Sequence, residues 1–198
     1  MKIIGITGGI GAGKTEVLAY IRGKYNCQVL LADEAAHKVK EPGESCYGAL
    51  VKLLGQEILA PDGRIDRQKM AEKIFGSEAL LQQVNDLIHP MVREYILKEI
   101  EKAGREGKID FLFIEAALLI EGGYENIVDE LWYIYAGEEV RRRRLKHFRN
   151  YSDEKISGIL ERQLSEEEFR RHCKVVIDNG GSLADTYEQI DKKLEGYL

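Results

Sequence analysis

The sequence predicts an α/β protein built on a parallel five-stranded sheet with helices on both faces. Three observations predict it. Short apolar runs without polar alternation recur at Ile3–Ile6, Gln28–Asp33, Ile109–Glu115, Leu131–Ala136 and Lys174–Asn179, as strands covered on both faces require. Helical patterns fill the gaps between most of them, the alternation that builds βαβ units. A glycine-rich turn joins the first run to the first helical pattern, where an open α/β sheet receives its ligand.

That turn is the most specific local signal. Gly8 opens a match to G-x-x-x-x-G-K-[ST] that closes on Gly13, Lys14 and Thr15, with Gly9 and Gly11 inside it. A loop that wraps a polyphosphate must turn successive backbone N–H groups inward. The helix that follows adds its N-terminal dipole to the same anion. In this motif the lysine reaches the β- and γ-phosphates and the hydroxyl meets magnesium. Gly9, Gly11, Ala12, Gly13, Lys14, Thr15 and Glu16 are therefore the candidate nucleotide-binding residues of this segment. The context the motif requires is present: the strand pattern of Ile3, Ile4 and Ile6 precedes it, and Val17, Leu18 and Ile21 follow at helical spacing.

The helix is predicted over Lys14 to about Lys24, broken at Asn26, and the second strand over Gln28–Asp33 ends in a carboxylate. Residues 34–104 read as mostly helical, with turns at Pro42-Gly43 and Pro61-Asp62-Gly63. Asp66 is placed to cap a helix through Met70 and Ile74. A long apolar stripe from Leu80 to Ile100 is interrupted by His89-Pro90, which predicts a kink or break. Strands are then expected at Ile109–Glu115, Leu131–Ala136 and Lys174–Asn179. Helices are expected over Glu138–Phe148, Ser152–Gln163 and Ser182–Leu194. The domain reading is one unit over residues 1–198. Its core is 1–37 and 105–198, a helical substrate-binding insertion spans 38–104, and a helical lid lies within 141–170.

Composition narrows the function. Of 198 residues, 29 are Lys or Arg and 34 are Asp or Glu, giving a net charge of −5. An acidic chain argues against general affinity for nucleic acid or membranes. Three cysteines, Cys27, Cys46 and Cys173, show no metal or redox spacing. No apolar run approaches membrane-spanning length. A cytoplasmic protein is the expectation, and the sequence does not give an oligomeric state.

Several residues carry chemistry. Asp33 ends the second strand, where a carboxylate can take a proton from an attacking hydroxyl; the alternative is a helix N-cap. Glu115 ends the third strand and is the candidate carboxylate for magnesium, with Thr15. Glu121 binds substrate or sits in a solvated turn. Arg141–Arg144 lie on one predicted helix and cannot all face one way. Arg144, with nearby Arg149, is the candidate to offset charge on the phosphates, while others pair with acids such as Glu138. His89 is a structural hydrogen bonder or a substrate residue, and Trp132 reads as core.

Taken together, these segments resemble the dephospho-CoA kinase family over nearly the whole chain. TGGIGAGKT matches its phosphate loop, and LLADEAAHKVKEPG resembles the segment in which an aspartate at the position of Asp33 serves as base. IHPMVR resembles a His-Pro segment that places His89 near the substrate. EAALLIE is similar to D-x-P-L-L-F-E, with Glu115 and Glu121 at the acidic positions. Gln163 resembles a glutamine at the end of the lid. VIDNGGS, with Asn179, resembles the strand and loop near the adenine. The resemblance implies the P-loop kinase fold, with ATP and Mg2+ as cofactors and dephospho-CoA as the small-molecule acceptor. Lys14, Asp33, Arg144 and Arg149 are then the catalytic set. The chain departs at Leu31, where the family has a second aspartate, and at Ala117, where proline is usual. Phe148 and Arg149 stand where Arg-Asp is usual. A kinase for another hydroxylated acceptor and a degenerate nucleotide-binding protein are the alternatives. A GTPase is disfavoured because no N-K-x-D segment is present.

Overall fold

A computed structural model describes residues 1–116 and 119–198, and Ala117 and Leu118 lie outside the described residues. By their internal contacts the residues form two units, Met1–Val29 with Glu106–Leu198, and Leu30–Arg105.

The first unit is organised on the sheet. β1 (Lys2–Thr7), β2 (Cys27–Leu31), β3 (Phe111–Glu115), β4 (Glu130–Tyr135) and β5 (Val175–Asp178) form a parallel sheet in the order β2-β3-β1-β4-β5. β1 is central because Ile4 and Ile6 are fully buried, and it pairs with β3 and β4 on its two sides. Phe111, Leu112, Phe113 and Ile114 are consecutive and all buried. Successive strand residues point to opposite faces, so both faces of the sheet are covered. Ile6 lies opposite Glu115 on one side and Trp132 on the other, and Tyr135 opposite Asp178. This register brings the carboxyl ends of β1, β3, β4 and β5 to one edge. Trp132 is core, fully buried, with its ring edge-on to Phe113 at 6.2 Å and its Nε1 donating to Glu130 at 3.0 Å.

α1 (Lys14–Lys24) follows the glycine loop, and α6 (Glu138–Arg149), α7 (Asp153–Leu160) and α8 (Glu166–His172) connect β4 to β5. α9 (Leu183–Glu195) closes the chain and buries Ile190 and Leu194 completely. Ser182 caps α9 by accepting from the Asp185 N–H. Sequence reading named no helix over α8, although its signal was present as S-x-x-E. Ser165 and Glu168 form a reciprocal capping box there.

α9 is tied to α1 through Asp191, which accepts from Tyr20 at 2.7 Å, Tyr25 at 2.6 Å and Lys24 at 2.6 Å. Tyr187 stacks on Tyr20 with centroids 3.8 Å apart. Burial alone raises the Asp191 carboxyl, but the hydrogen bonds from Lys24, Tyr25 and Tyr20 outweigh it and hold it below its ordinary value. A depressed folded value means stability that is present above the unfolded carboxylate range and lost as pH falls through the folded one. Asp191→Asn is therefore expected to lower the urea midpoint at pH 7 by roughly 0.3 M, a small effect because the cluster is solvent-screened. The difference from the parent protein should shrink below about pH 4. Urea titrations at pH 7 and pH 3.5 check this, and an unchanged difference at the lower pH would remove the charge from the account.

The second unit contains α2 (Ala32–Lys38), α3 (Tyr47–Leu54), α4 (Arg67–Ile74) and α5 (Glu78–Glu106). Val39, Cys46, Leu50, Leu54, Ile58 and Ile96 are fully buried in it. Asp66 caps α4 as expected, accepting from the N–H groups of Gln68 at 2.8 Å and Lys69 at 3.1 Å. The turn at Pro61-Asp62-Gly63 is present, with the Ala60 N–H donating to Arg64 O at 2.8 Å.

Two expectations are corrected. The second strand does not reach Asp33: β2 stops at Leu31, the extended N-cap of α2, and Asp33 lies in the first helical turn. Asp33 and Glu34 there complement the dipole of the helix start, so the acids favour helix over strand. Asp33 is accordingly not the N-cap either. The second correction concerns the break, one of the two outcomes expected at His89-Pro90: Pro90 neither ends nor splits its helix, since α5 runs 29 residues through it. Proline removes one backbone donor. The bonds on either side, and burial of Val84, Val92, Ile96 and Ala103, keep the helix continuous.

The three cysteines are unpaired, and burial pushes the Cys173 thiol up to about 12, leaving it unreactive at neutral pH. No described helix is long and apolar enough to cross a membrane.

Candidate phosphate-binding site

The site begins where β1 ends. Gly8 and Gly13 have φ of 149° and 90°, values that L side chains adopt rarely. A Cβ on Gly8 would stand 2.5 Å from Ile134 O, and one on Gly13 would collide with the Asn179 side-chain amide. Both positions therefore require glycine, for conformation and for space. Gly13 is the N-cap of α1 and offers no side chain to it, which leaves the start of the helix suited to an anion.

Lys14 folds back over the loop. Its Nζ donates to Gly8 O at 2.8 Å and lies 3.6 Å from Glu115 Oε1, with both side chains about four-fifths buried. Thr15 and Glu16 are exposed on the first turn of α1. Glu16 accepts from the Tyr187 hydroxyl at 2.7 Å, so α9 supports this turn as well.

A second layer comes from α6 and the loop after β5. Asn179 is buried, donates from Nδ2 to Ala12 O at 2.7 Å, and from its backbone N–H to Tyr135 O at 2.7 Å. Its Oδ1 accepts from the Thr186 hydroxyl at 3.1 Å. Arg144 donates to Ala12 O at 3.2 Å and to Asn179 O at 2.8 Å. Burial, and then the Arg143 charge, pulls the Arg144 guanidinium below its ordinary value. Arg144 is thus a clasp on the back of the loop, its donors committed to backbone carbonyls.

The arginine run divides by helical phase. Arg142 pairs with Glu138 at 2.8 Å and donates to Ser157 at 3.1 Å, joining α6 to α7. Arg143 and Arg149 are exposed, and Arg149 makes no ion pair or hydrogen bond with the described residues. Arg141, one turn before Arg144, sets its guanidinium against Gly9, where any Cβ would collide with it. Its Nε is buried with no hydrogen-bond partner among the described residues. Beside it, Gln163 Oε1 accepts from the Ile10 N–H at 3.1 Å. Sequence reading did not single out Arg141. The i, i+3 relation to Arg144 was the signal that could have found it.

The first unit therefore brings together Gly9, Gly11, Ala12, Gly13, Lys14, Thr15, Glu16, Glu115, Arg144 and Asn179. Glu121 is exposed in the turn after Ile120, with no side-chain partner among the described residues. Asp33 and His89 belong to the second unit, both exposed, on α2 and α5. Ala117, one of the departures from the family pattern, lies outside the described residues.

A loop of this geometry holds a polyphosphate by backbone N–H groups, a lysine and a helix start. The comparisons with known proteins agree. A family model described as dephospho-CoA kinase matches residues 2–185. A dephospho-CoA kinase of Aquifex aeolicus is 38% identical over 197 residues, covering 98% of this chain and 97% of the relative. A solved structure from Thermus thermophilus has a TM-score of 0.80 at 31% identity, covering 100% of this chain and 97% of that one. The dephospho-CoA kinase from Campylobacter jejuni has the same fold, with a TM-score of 0.75 at 24% identity, over 98% of this chain and 96% of its own.

Proposed function

The chain belongs to the dephospho-CoA kinase family, and from that membership we propose how its residues carry out the reaction. The γ-phosphoryl of ATP passes to the 3′-hydroxyl of dephospho-CoA, giving coenzyme A and ADP, the last step of coenzyme A synthesis. The bond between the γ-phosphorus and the β,γ-bridging oxygen breaks as the new P–O bond to the 3′-oxygen forms. Asp33 takes the hydroxyl proton. His89 and Glu121 serve the acceptor. The chain acts on a small molecule in the cytoplasm and needs neither nucleic acid nor a membrane.

The observation that carries this reading is the loop itself, with Lys14 held over it by Gly8 O and Glu115. Lys14 exchanges these partners for the β- and γ-oxygens of the nucleotide. Asn179 and Arg144 keep the loop in shape from behind, which matters because binding geometry must be set before the ligand arrives. Arg141 adds a cation at the front, and its unsatisfied Nε is the donor best supported for phosphate oxygens. Thr15 and Glu115 would hold magnesium. An exposed hydroxyl and a carboxylate at the loop are hard oxygen donors of the kind that ion takes, with waters and phosphates completing its shell. When bound, magnesium neutralises charge on the transferring phosphoryl group.

The test is ADP formation by the purified protein with ATP, magnesium and dephospho-CoA, against acceptor-free and Lys14→Ala controls. Acceptor-dependent turnover supports the reading. Tight ATP binding without transfer overturns it and directs the search to other hydroxylated acceptors.

Phe148, at the family's lid-arginine position, is 75% exposed on α6. Phe148→Arg is expected to leave the thermal midpoint unchanged, and to leave kcat equal or raise it a few-fold, about 1 kcal/mol of added charge stabilisation at most. A collapse of kcat would show that phenylalanine is adapted to this enzyme.

A further inference from the structure

α6 sets one guanidinium against the front of the phosphate loop. The Arg141 backbone packs on Gly11, where a Cβ would stand 3.1 Å from Arg141 O and 3.3 Å from Arg141 Cα. The Arg141 N–H donates to Gly137 O at 3.0 Å, so the residue is fixed at the start of the helix. From there its side chain runs to Gly9. A Cβ on Gly9 would collide with the terminal nitrogen and lie 3.1 Å from Gln163 Oε1. Next to it, Lys14 Nζ donates to the carbonyl of Gly8 at 2.8 Å. In this motif the lysine reaches the β- and γ-phosphates, so the start of the loop, Gly8 and Gly9, lies toward the γ-phosphoryl group. Arg144, one turn later on α6, meets the other end of the loop, at Ala12 and Asn179.

The two cations at this end are not alike. Lys14 has Glu115 at 3.6 Å. Arg141 makes no side-chain hydrogen bond or ion pair with the described residues, and its Nε is shut away from solvent without a partner. A buried N–H of a cation is costly to leave unpaired, so the site favours an incoming anionic acceptor. The neighbouring donor, the Ile10 N–H, meets the neutral amide oxygen of Gln163 at 3.1 Å. A guanidinium can take two oxygens of one phosphoryl group in a fixed fork, which an ammonium cannot. The other arginines of the run are spent or turned away. Arg142 is held by Glu138 and Ser157, Arg144 by backbone carbonyls, and Arg143 is exposed. Phe148 stands about two turns beyond Arg141 on the same face of α6 and brings no charge to the loop.

We propose that Arg141 is the arginine that holds the γ-phosphoryl group of ATP and offsets the charge that builds on it during transfer, in place of the guanidinium that Phe148 does not supply. The proposal rests on the phosphoryl transfer proposed above and adds which arginine serves it. Arg141 belongs to the first turn of a helix packed on the loop, so little ordering remains when the nucleotide binds. With the charge supplied from position 141, position 148 no longer needs it, and a phenylalanine exposed to solvent is tolerated there. The two positions are then coupled: one guanidinium is required between them, and a second adds little.

Calorimetric titration of the full chain, with magnesium and either ADP or the non-hydrolysable ATP analogue AMP-PNP, reads the contact without turnover. Arg141→Gln should weaken AMP-PNP by about tenfold and leave ADP within about twofold of the parent. With dephospho-CoA, its kcat should fall on the order of 10²–10³-fold while the KM for dephospho-CoA is unchanged. Adding Phe148→Arg to Arg141→Gln should recover about tenfold of that loss, more than Phe148→Arg gains in the parent. Thermal midpoints should match throughout. Arg141→Lys keeps the charge and loses the fork, so it should fall between the parent and the glutamine variant. The same comparison of nucleotides is read from it if glutamine at 141 unfolds the chain. An equal loss of ADP and AMP-PNP affinity would reduce Arg141 to a support of the loop and overturn the assignment. Parent-level AMP-PNP affinity and kcat in a folded variant would overturn it as well. A selective loss of AMP-PNP affinity, in a protein whose parent shows no dephospho-CoA turnover, would overturn the proposed reaction and leave Arg141 on the γ-phosphoryl group.

Discussion

Asp33→Asn is expected to lower kcat on the order of 10²–10⁴-fold, the usual contribution of a positioned general base, while ATP binds as before. The substitution keeps the size and one acceptor of the side chain and removes its basicity. It is also structurally mild. Asp33 lies exposed in the first turn of α2, so losing its charge costs a few tenths of a kcal/mol at most from the helix dipole. Leu31 stands where the family has another aspartate, so no second carboxylate at that position can take the proton. Acceptor-dependent ADP formation, with ATP titrated separately by fluorescence or calorimetry, measures the two effects. Parent-level turnover in Asp33→Asn would remove Asp33 from the mechanism.

Lys14→Ala is expected to remove transfer by a different route, with kcat/KM for ATP falling on the order of 10²–10³-fold and nucleotide affinity lost with it. Lys14 touches two parts of the site at once, Gly8 O at 2.8 Å and Glu115 at 3.6 Å. Alanine takes away the cation that meets the phosphates and the donor that holds the loop's first carbonyl. The fold should survive, because Gly8, Gly13 and the Asn179–Arg144 clasp shape the loop without the lysine. Arginine is not expected to substitute: its planar fork needs more room than a compact ammonium. Unchanged ATP affinity in Lys14→Ala, in a variant that melts like the parent, would contradict the assignment of the loop.

These two variants separate roles that a single activity loss would merge. Asp33→Asn should bind ATP and stall, whereas Lys14→Ala should fail at binding.

What was legible in the sequence was what a few neighbouring residues decide. A glycine pattern followed by Lys14 and Thr15 determines a backbone path, since positive φ at Gly8 and Gly13 is a property of the residue itself. Buried apolar runs determine parallel strands for the same reason, and Asp66 determines the start of α4 because a cap reaches only two or three residues ahead. The P-loop kinase fold follows from these parts in that order. The tertiary structure decided what depends on distant partners. Helical phase shows that Arg141 and Arg144 share a face. It does not show that this face meets the loop 133 residues earlier, with Arg144 spent on carbonyls and Arg141 left with an unsatisfied Nε. Local rules for Pro90 favoured a kink or a break, and the helix does not break because a long helix with a buried stripe outweighs one missing hydrogen bond. The strand–helix border at Leu31 shifted for a similar reason, as two acids at a helix start weigh more than an apolar run that precedes them. Least legible was a surface cavity in the second unit: Lys40, Arg67 and Phe75 share no local motif, and only the packing of α2, α4 and α5 brings them to its walls.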